Sequence, residues 1–156
     1  MKVELKKVKF HEDMSDETNC FSADIWVDGK NLAQVQNQGC GGCNMYYPHL
    51  GINDPKWIAF EKWSKKQPPH VYEGFTLESN TDRVVDDLFT AWVKAHDEKQ
   101  ANTQIKRWCK TQTVYRLKGD EDGAWRTAKV LYTPSIGEHL HGKFGAKIEE
   151  IANERK

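Results

Sequence analysis

Cys40 and Cys43, separated by Gly41-Gly42, are the residues whose type and spacing point most directly to chemistry. A Cys-x-x-Cys pair supplies two soft ligands of the kind zinc takes in a tetrahedral site, and His49 follows six residues after Cys43. Cys20 and Cys109 are the remaining thiols that could complete such a set. A structural zinc site usually brings a second close pair, and this sequence has none. Zinc at Cys40 and Cys43 is therefore a minor expectation. The ordinary alternative makes Cys20 and Cys109 small buried apolar residues. The same spacing serves thiol–disulfide exchange, but that chemistry favours a thiol at a helix N-terminus, and no apolar helix follows directly here. Gly39, Gly41 and Gly42 also suit a nest of backbone N–H groups around an anion. Neither the Walker A pattern nor the dinucleotide fingerprint is present. The first reading of 39–44 is thus architectural: it ends a hairpin and redirects the chain, with Cys40, Cys43, Asn44 and His49 as candidate ligand-binding residues.

A second group is the basic stretch 104–118, with five Lys or Arg and no acid. Read as a strand, Lys110, Gln112, Val114, Arg116 and Lys118 share one face. Together with Lys106 and Arg107 they would present cations and aromatic rings to a nucleotide, a nucleic acid or an acidic protein. The acidic turn Asp120-Glu121-Asp122 dampens that field. Trp57 and Trp63 are candidate partner-binding residues, because Trp is enriched where surfaces bury another molecule. Asp24, Asn44, His49 and His70 are untyped polar candidates for a dispersed active site. No Ser/His/Asp set, HExxH or paired-carboxylate pattern is evident, and no catalytic residue is assigned. His96 falls on a helical stripe, and His139 and His141 point differently on a helix. The acidic run at Glu12, Asp13, Asp16 and Glu17 lacks the EF-hand pattern.

The elements that must position these residues follow from periodicity. Val3–Phe10 and Cys20–Val27 read as strands. Asp28-Gly29 is a preferred type I′ hairpin pair, and Leu32 to Gln36 is the return strand, with Ala33 and Val35 facing away from Leu32, Gln34 and Gln36. Asp54-Pro55 starts a helix that runs to about Lys66. Residues 67–76 form a loop or irregular extended piece. The helical stripe Val84, Val85, Leu88, Phe89, Trp92, Val93 and His96 predicts a helix over roughly 80–101. A hairpin of 105–118 with 124–132 follows. Ser135 and Glu138 have capping-box spacing before a last helix over about 136–153. The outline is β-β-β-loop-α-α-β-β-α. It predicts a single α+β domain over 1–156, with a mostly antiparallel sheet from two hairpin regions and about three helices on one face.

The chain has 156 residues, enough to bury about 68–70% of its extended surface without a metal or disulfide. Lys plus Arg equals Asp plus Glu at 23 each, so overall charge gives no support to a nucleic-acid or membrane-surface binder. No apolar run reaches membrane-span length and no signal-peptide core opens the chain, so a cytoplasmic location with reduced thiols is expected.

Taken together, the segments MSDETNCFSADIWVDGK, NQGCGGCN, CKTQTVYRLKGD and KFGAKIEEIANE resemble a group of small bacteriophage and mobile-element proteins without assigned function. The resemblance spans most of the chain. It implies an accessory protein that binds a host macromolecule, such as an inhibitor of a defence system. It supplies no site residues. The expected partner is then a host protein, with a homodimer possible. A nucleotide or nucleic-acid binder using 39–44 and 104–118, and a small enzyme, are the alternatives.

Overall fold

The computed structural model describes residues 1–155, with Tyr72 described by its backbone only. It is an α+β fold with antiparallel sheets. Contacts group into one compact unit over Met1–Val93 and a second beginning at Lys94.

In the first unit, β1 (Val3–Phe10), β2 (Cys20–Val27), β3 (Lys30–Gln38) and β4 (Met45–Pro48) form an antiparallel sheet in chain order. Asp28 (φ 48°) and Gly29 (φ 80°) join β2 to β3, the two positive values a type I′ turn requires. Helix α1 (Pro55–Ser64) starts where the Asp-Pro signal places it. The Asp54 carboxylate accepts the Lys56 N–H at 3.2 Å, and Pro55 occupies a position that needs no donor. Helix α2 (Thr81–Cys109) begins with Asn80 Oδ1 accepting the Arg83 N–H at 2.8 Å. Phe21, Ala23, Ile25, Ala33 and Val35 of the sheet pack with Trp57 and Phe60 of α1 and with Val85 and Phe89 of α2. One sheet face is therefore covered by two helices.

Two irregularities set the faces of this sheet. Ile25 pairs with Ala33 but Trp26 pairs with Asn31, so Leu32 is an extra residue on β3. Leu32 and Ala33 are consequently both buried, where strict alternation places them on opposite faces. On β1, Lys6 pairs with Asp24 and Lys9 with Ser22, so the segment between carries one residue too many. Lys7 absorbs it with φ 51°, a left-handed conformation costly for a residue with a Cβ. Between α1 and α2 the chain forms a short ribbon, β5 (His70–Tyr72) with β6 (Phe75–Leu77), where a loop or irregular extended piece is expected from sequence.

In the second unit, β7 (Thr113–Leu117) lies between β8 (Arg126–Ala128) and β9 (Ile148–Ile151), antiparallel to both. Helix α3 (Pro134–Phe144) precedes β9. Its cap is Thr133, whose side chain accepts the Ile136 N–H at 3.4 Å, rather than the Ser135 capping box. The expected helix over 136–153 ends at Phe144 because Gly145 takes φ 52°. Ile148 and Ile151 are strand residues. Asn153 ties this unit together: its Oδ1 accepts the Val114 N–H at 2.8 Å, and its Nδ2 donates to the carbonyls of Cys109 and Gln112.

At the turn after β7, the Asp120 carboxylate accepts from Arg126 Nε and Nη2 and from the Leu117 N–H. The Arg126 guanidinium, and then the backbone N–H, hold its pKa at about 2. The folded value lies below the unfolded one, so this group's stabilisation is full above roughly pH 4 and is lost as pH falls through about 2. Asp120→Asn is expected to flatten that part of the acid limb in urea midpoints measured against pH. An acid limb of wild-type steepness in the variant contradicts the assignment.

Candidate functional site

The Gly39–Asn44 loop is built by its neighbours. The Gly39 carbonyl accepts the N–H groups of Asp16, Glu17 and Thr18 at 3.0, 3.1 and 3.3 Å. Asn37, buried at the end of β3, fastens the rest. Its Oδ1 accepts from Thr18 Oγ1 (2.8 Å) and the Gly39 N–H (2.9 Å). Its Nδ2 donates to the Gly42 carbonyl and to Asn44 Oδ1, both at 3.1 Å. Gly41 donates its N–H to Thr18 Oγ1 at 3.2 Å. Gly39 and Gly41 have φ of 84° and 83°, so glycine is required on conformational grounds at both.

From this loop Asn44 reaches α2, its Nδ2 donating to Asp86 Oδ1 at 2.9 Å. One residue into β4, the Tyr46 hydroxyl donates to Asp82 Oδ1 at 2.6 Å. Desolvation, then the Asp82 bond, push the Tyr46 hydroxyl far above its ordinary range. Asp86 is also raised: desolvation is the largest cause, the Asn44 amide opposes it, and the charges of Asp82 and Asp87 add to it. Cys43, Asn44, Asp82, Asp86 and Glu17 share a cleft of about 450 Å³.

This geometry answers the readings of the loop. The N–H groups of Gly39 and Gly41 already donate to Asn37 and Thr18, and the adjoining cleft carries three carboxylates. An incoming phosphate would meet like charge, which at an effective dielectric near 20 costs several kcal/mol at contact distances of about 4 Å. Two of the three glycine N–H groups that a nest would offer are therefore already used. Cys40 and Cys43 are exposed free thiols, whereas Cys20 is buried, and Cys109, raised in pKa mainly by burial, ends α2 in the second unit. Among the described residues no three His, Cys, Asp or Glu side chains are placed to hold a metal together.

The other candidates separate. Trp57 is 3% exposed and belongs to the core, packing against Tyr46 and Phe60 with ring centres 5.4 and 5.6 Å apart. It is not a surface contact residue. Trp63 is half-buried beside Phe60 and lines a cleft with Pro68, Pro69, His70 and Leu88. His70 Nε2 lies 2.9 Å from Asp87 Oδ2. His49 is exposed at the end of β4 and lines an apolar cleft of about 400 Å³ with Leu32 and Leu50. Asp24 lines a further cleft, on the sheet face away from the helices. Asp24, Asn44, His49 and His70 thus line four different clefts, and none of these clefts holds two of them.

The basic stretch is likewise divided. Lys106 and Arg107 are exposed in the last turn of α2, favourable for the helix dipole. Lys110 sits in the following turn, and only from Thr113 does the chain become a strand. Arg116 is half-buried, paired with Glu149 at 2.7 Å and lying 5.3 Å from the centre of the Trp125 ring. The common strand face expected for Lys110 through Lys118 does not form, because helix α2 continues to Cys109.

What sequence reasoning missed is apolar. Val71, Phe75 and Leu77 on the β5–β6 ribbon are 78%, 59% and 41% exposed. The only forewarning is Phe75-Thr76-Leu77, an alternating triplet after Glu73-Gly74. Comparison with family models, curated proteins and solved structures found no match to this chain. No helix among the described residues is long and apolar enough to cross a membrane.

Proposed function

We propose that the chain is a small protein-binding accessory protein, and that the β5–β6 ribbon is its contact surface. The observation that carries this reading is the exposure of Phe75 and Leu77, two apart on β6 and so on one face of the ribbon, with Val71 exposed on the other face. Exposed apolar residues scattered singly need no explanation, but neighbouring ones on one face of a ribbon mark a surface that buries against something else. The adjoining cleft of about 430 Å³, where Trp63, Pro68, Pro69 and Leu88 meet the His70–Asp87 pair, offers room for an anchoring side chain of the partner. Dispersal of the polar candidates into four clefts favours binding over catalysis. The sequence resemblance to phage and mobile-element proteins supports a bacterial host protein as the partner and inhibition of a defence system as the outcome.

The test uses tagged protein, bacterial lysate and mass spectrometry, followed by titration of the recovered partner in purified form. The variant Leu77→Asp is expected to weaken binding about tenfold, the loss of one apolar contact. Leu50→Asp, in the exposed turn after β4, serves as the control. All three chains, wild type included, should melt alike because these positions are solvent-exposed. Equal binding by the ribbon variant and the control would overturn the proposal.

A further inference from the structure

We infer that the open face of the β1–β4 sheet carries a binding site for a neutral, hydroxyl-rich ligand, a saccharide, centred on Asp24. The residues involved are Lys7 and Lys9 of β1, Ser22 and Asp24 of β2, and Gln34 and Gln36 of β3, around a cleft of about 430 Å³. Tyr47 of β4 forms its rim and is 49% exposed. Strand pairing explains the convergence: Lys6 and Gln34 lie opposite Asp24, Lys9 and Gln36 lie opposite Ser22, and Tyr47 lies opposite Gln34.

Two features separate this cleft from an ordinary wet sheet face. The first is Asp24 itself. Its residue is 5% exposed and its side chain 8%, although it sits on the face that no helix covers. A buried carboxylate wants several donors, having about four lone-pair positions. Its ion pair is with Lys7, whose ammonium lies 3.1 Å away on a side chain 76% exposed. The second feature is how Lys7 comes to be there. It occupies the bulge in β1 with φ 51°, a conformation that costs a lysine free energy, and bulges recur where a strand must re-aim a side chain beside a site. The strained residue is the one that reaches Asp24.

The lining chemistry selects the ligand. A free anion would face the Asp24 carboxylate, and a free cation would face Lys7 and Lys9. A hydroxyl avoids both conflicts, since it donates to Asp24 while accepting from an ammonium or an amide. Gln34 and Gln36 each add donors and an acceptor, and Gln36 Nε2 is already oriented by a 3.2 Å bond to the Tyr47 hydroxyl. Vicinal hydroxyls of a sugar ring match this alternation of donors and acceptors. The exposed Tyr47 ring suits the apolar face of the same sugar.

The experiment is an NMR titration of the ¹⁵N-labelled full chain with D-glucose, N-acetyl-D-glucosamine and myo-inositol. Inorganic phosphate and adenosine are run as counter-probes. Saturable shifts of the Gln34 and Gln36 side-chain amides with at least one of the three hydroxyl-rich probes are expected. Asp24→Asn should weaken that binding about tenfold, the loss of a charged hydrogen-bond acceptor. If Asp24→Asn fails to fold, Gln34→Ala must give a comparable loss. The inference is overturned if none of the three saturates these signals, if phosphate or adenosine does so instead, or if the folded variants bind as the wild type does.

Discussion

Gly39→Ala is expected to destabilise the protein by about 3 kcal/mol or more, a large part of a typical domain stability. Two effects add. At φ 84° an alanine adopts the left-handed conformation at a cost of about 1–2 kcal/mol. Its Cβ would also run into the Met14 carbonyl oxygen and the Cys20 Cβ, and backbone and core atoms cannot swing aside as a flexible side-chain end could. Relief requires moving the Met14 carbonyl, the strand that carries Cys20, or residue 39 itself, whose own carbonyl accepts three N–H groups from residues 16–18. Gly42→Ala is the control, since a Cβ there meets open space. Urea denaturation of both proteins decides the matter: a Gly39→Ala midpoint close to that of Gly42→Ala would show that the loop yields.

Phe89→Ala should cost about 3–5 kcal/mol, the range for emptying a buried aromatic site. Phe89 is 1% exposed and stacks on Phe21 with ring centres 4.1 Å apart, while Phe10 meets it edge-on at 5.3 Å. It therefore joins α2 to both β1 and β2, and the surrounding rings are held by strands that cannot collapse easily into the void. Equilibrium unfolding followed by tryptophan fluorescence measures the change, with Val71→Ala as a surface reference expected within about 0.5 kcal/mol of wild type. A loss below 1 kcal/mol for Phe89→Ala would mean that the cavity closes and that the core is less rigid than its packing implies.

The legible parts of the fold were those with local causes. The Asp28-Gly29 turn, the Asp54-Pro55 helix start and the Val84–Val93 stripe each depend on residues adjacent in sequence or one helical turn apart, and each stands where expected. The errors arose where the local pattern points to a different element. Ile148 and Ile151 continue an i+4, i+3 helical face from Phe144 and do not alternate as a strand should, yet they form β9 because a register shift between Arg116 and Leu117 accommodates their spacing; Gly145 ends the helix before them through its backbone angle. Lys106 to Cys109 reads as the approach to a β-rich segment, but helix α2 carries through it. Strand β4 was hidden because its pairing with β3 is made across the Gly/Cys loop, whose course depends on Asn37 and Thr18. The site suffered similarly. Asp24 was legible only as one of four untyped polar candidates, and its ion pair with Lys7 and its place beside Gln34 and Gln36 are set by register and by a bulge, which no local signal specifies.

The two-residue connection between β2 and β3 also bears on how the chain reaches this structure. Bringing those strands together closes a loop of only Asp28 and Gly29, whereas pairing β7 with β9 closes one running from Lys118 to Lys147. Loop-closure entropy rises as 1.5RT times the logarithm of loop length, which separates the two events by about 2 kcal/mol. The central hairpin of the first sheet is thus entropically inexpensive, and the last strand of the second is the part of the chain whose ordering demands the most prior organisation.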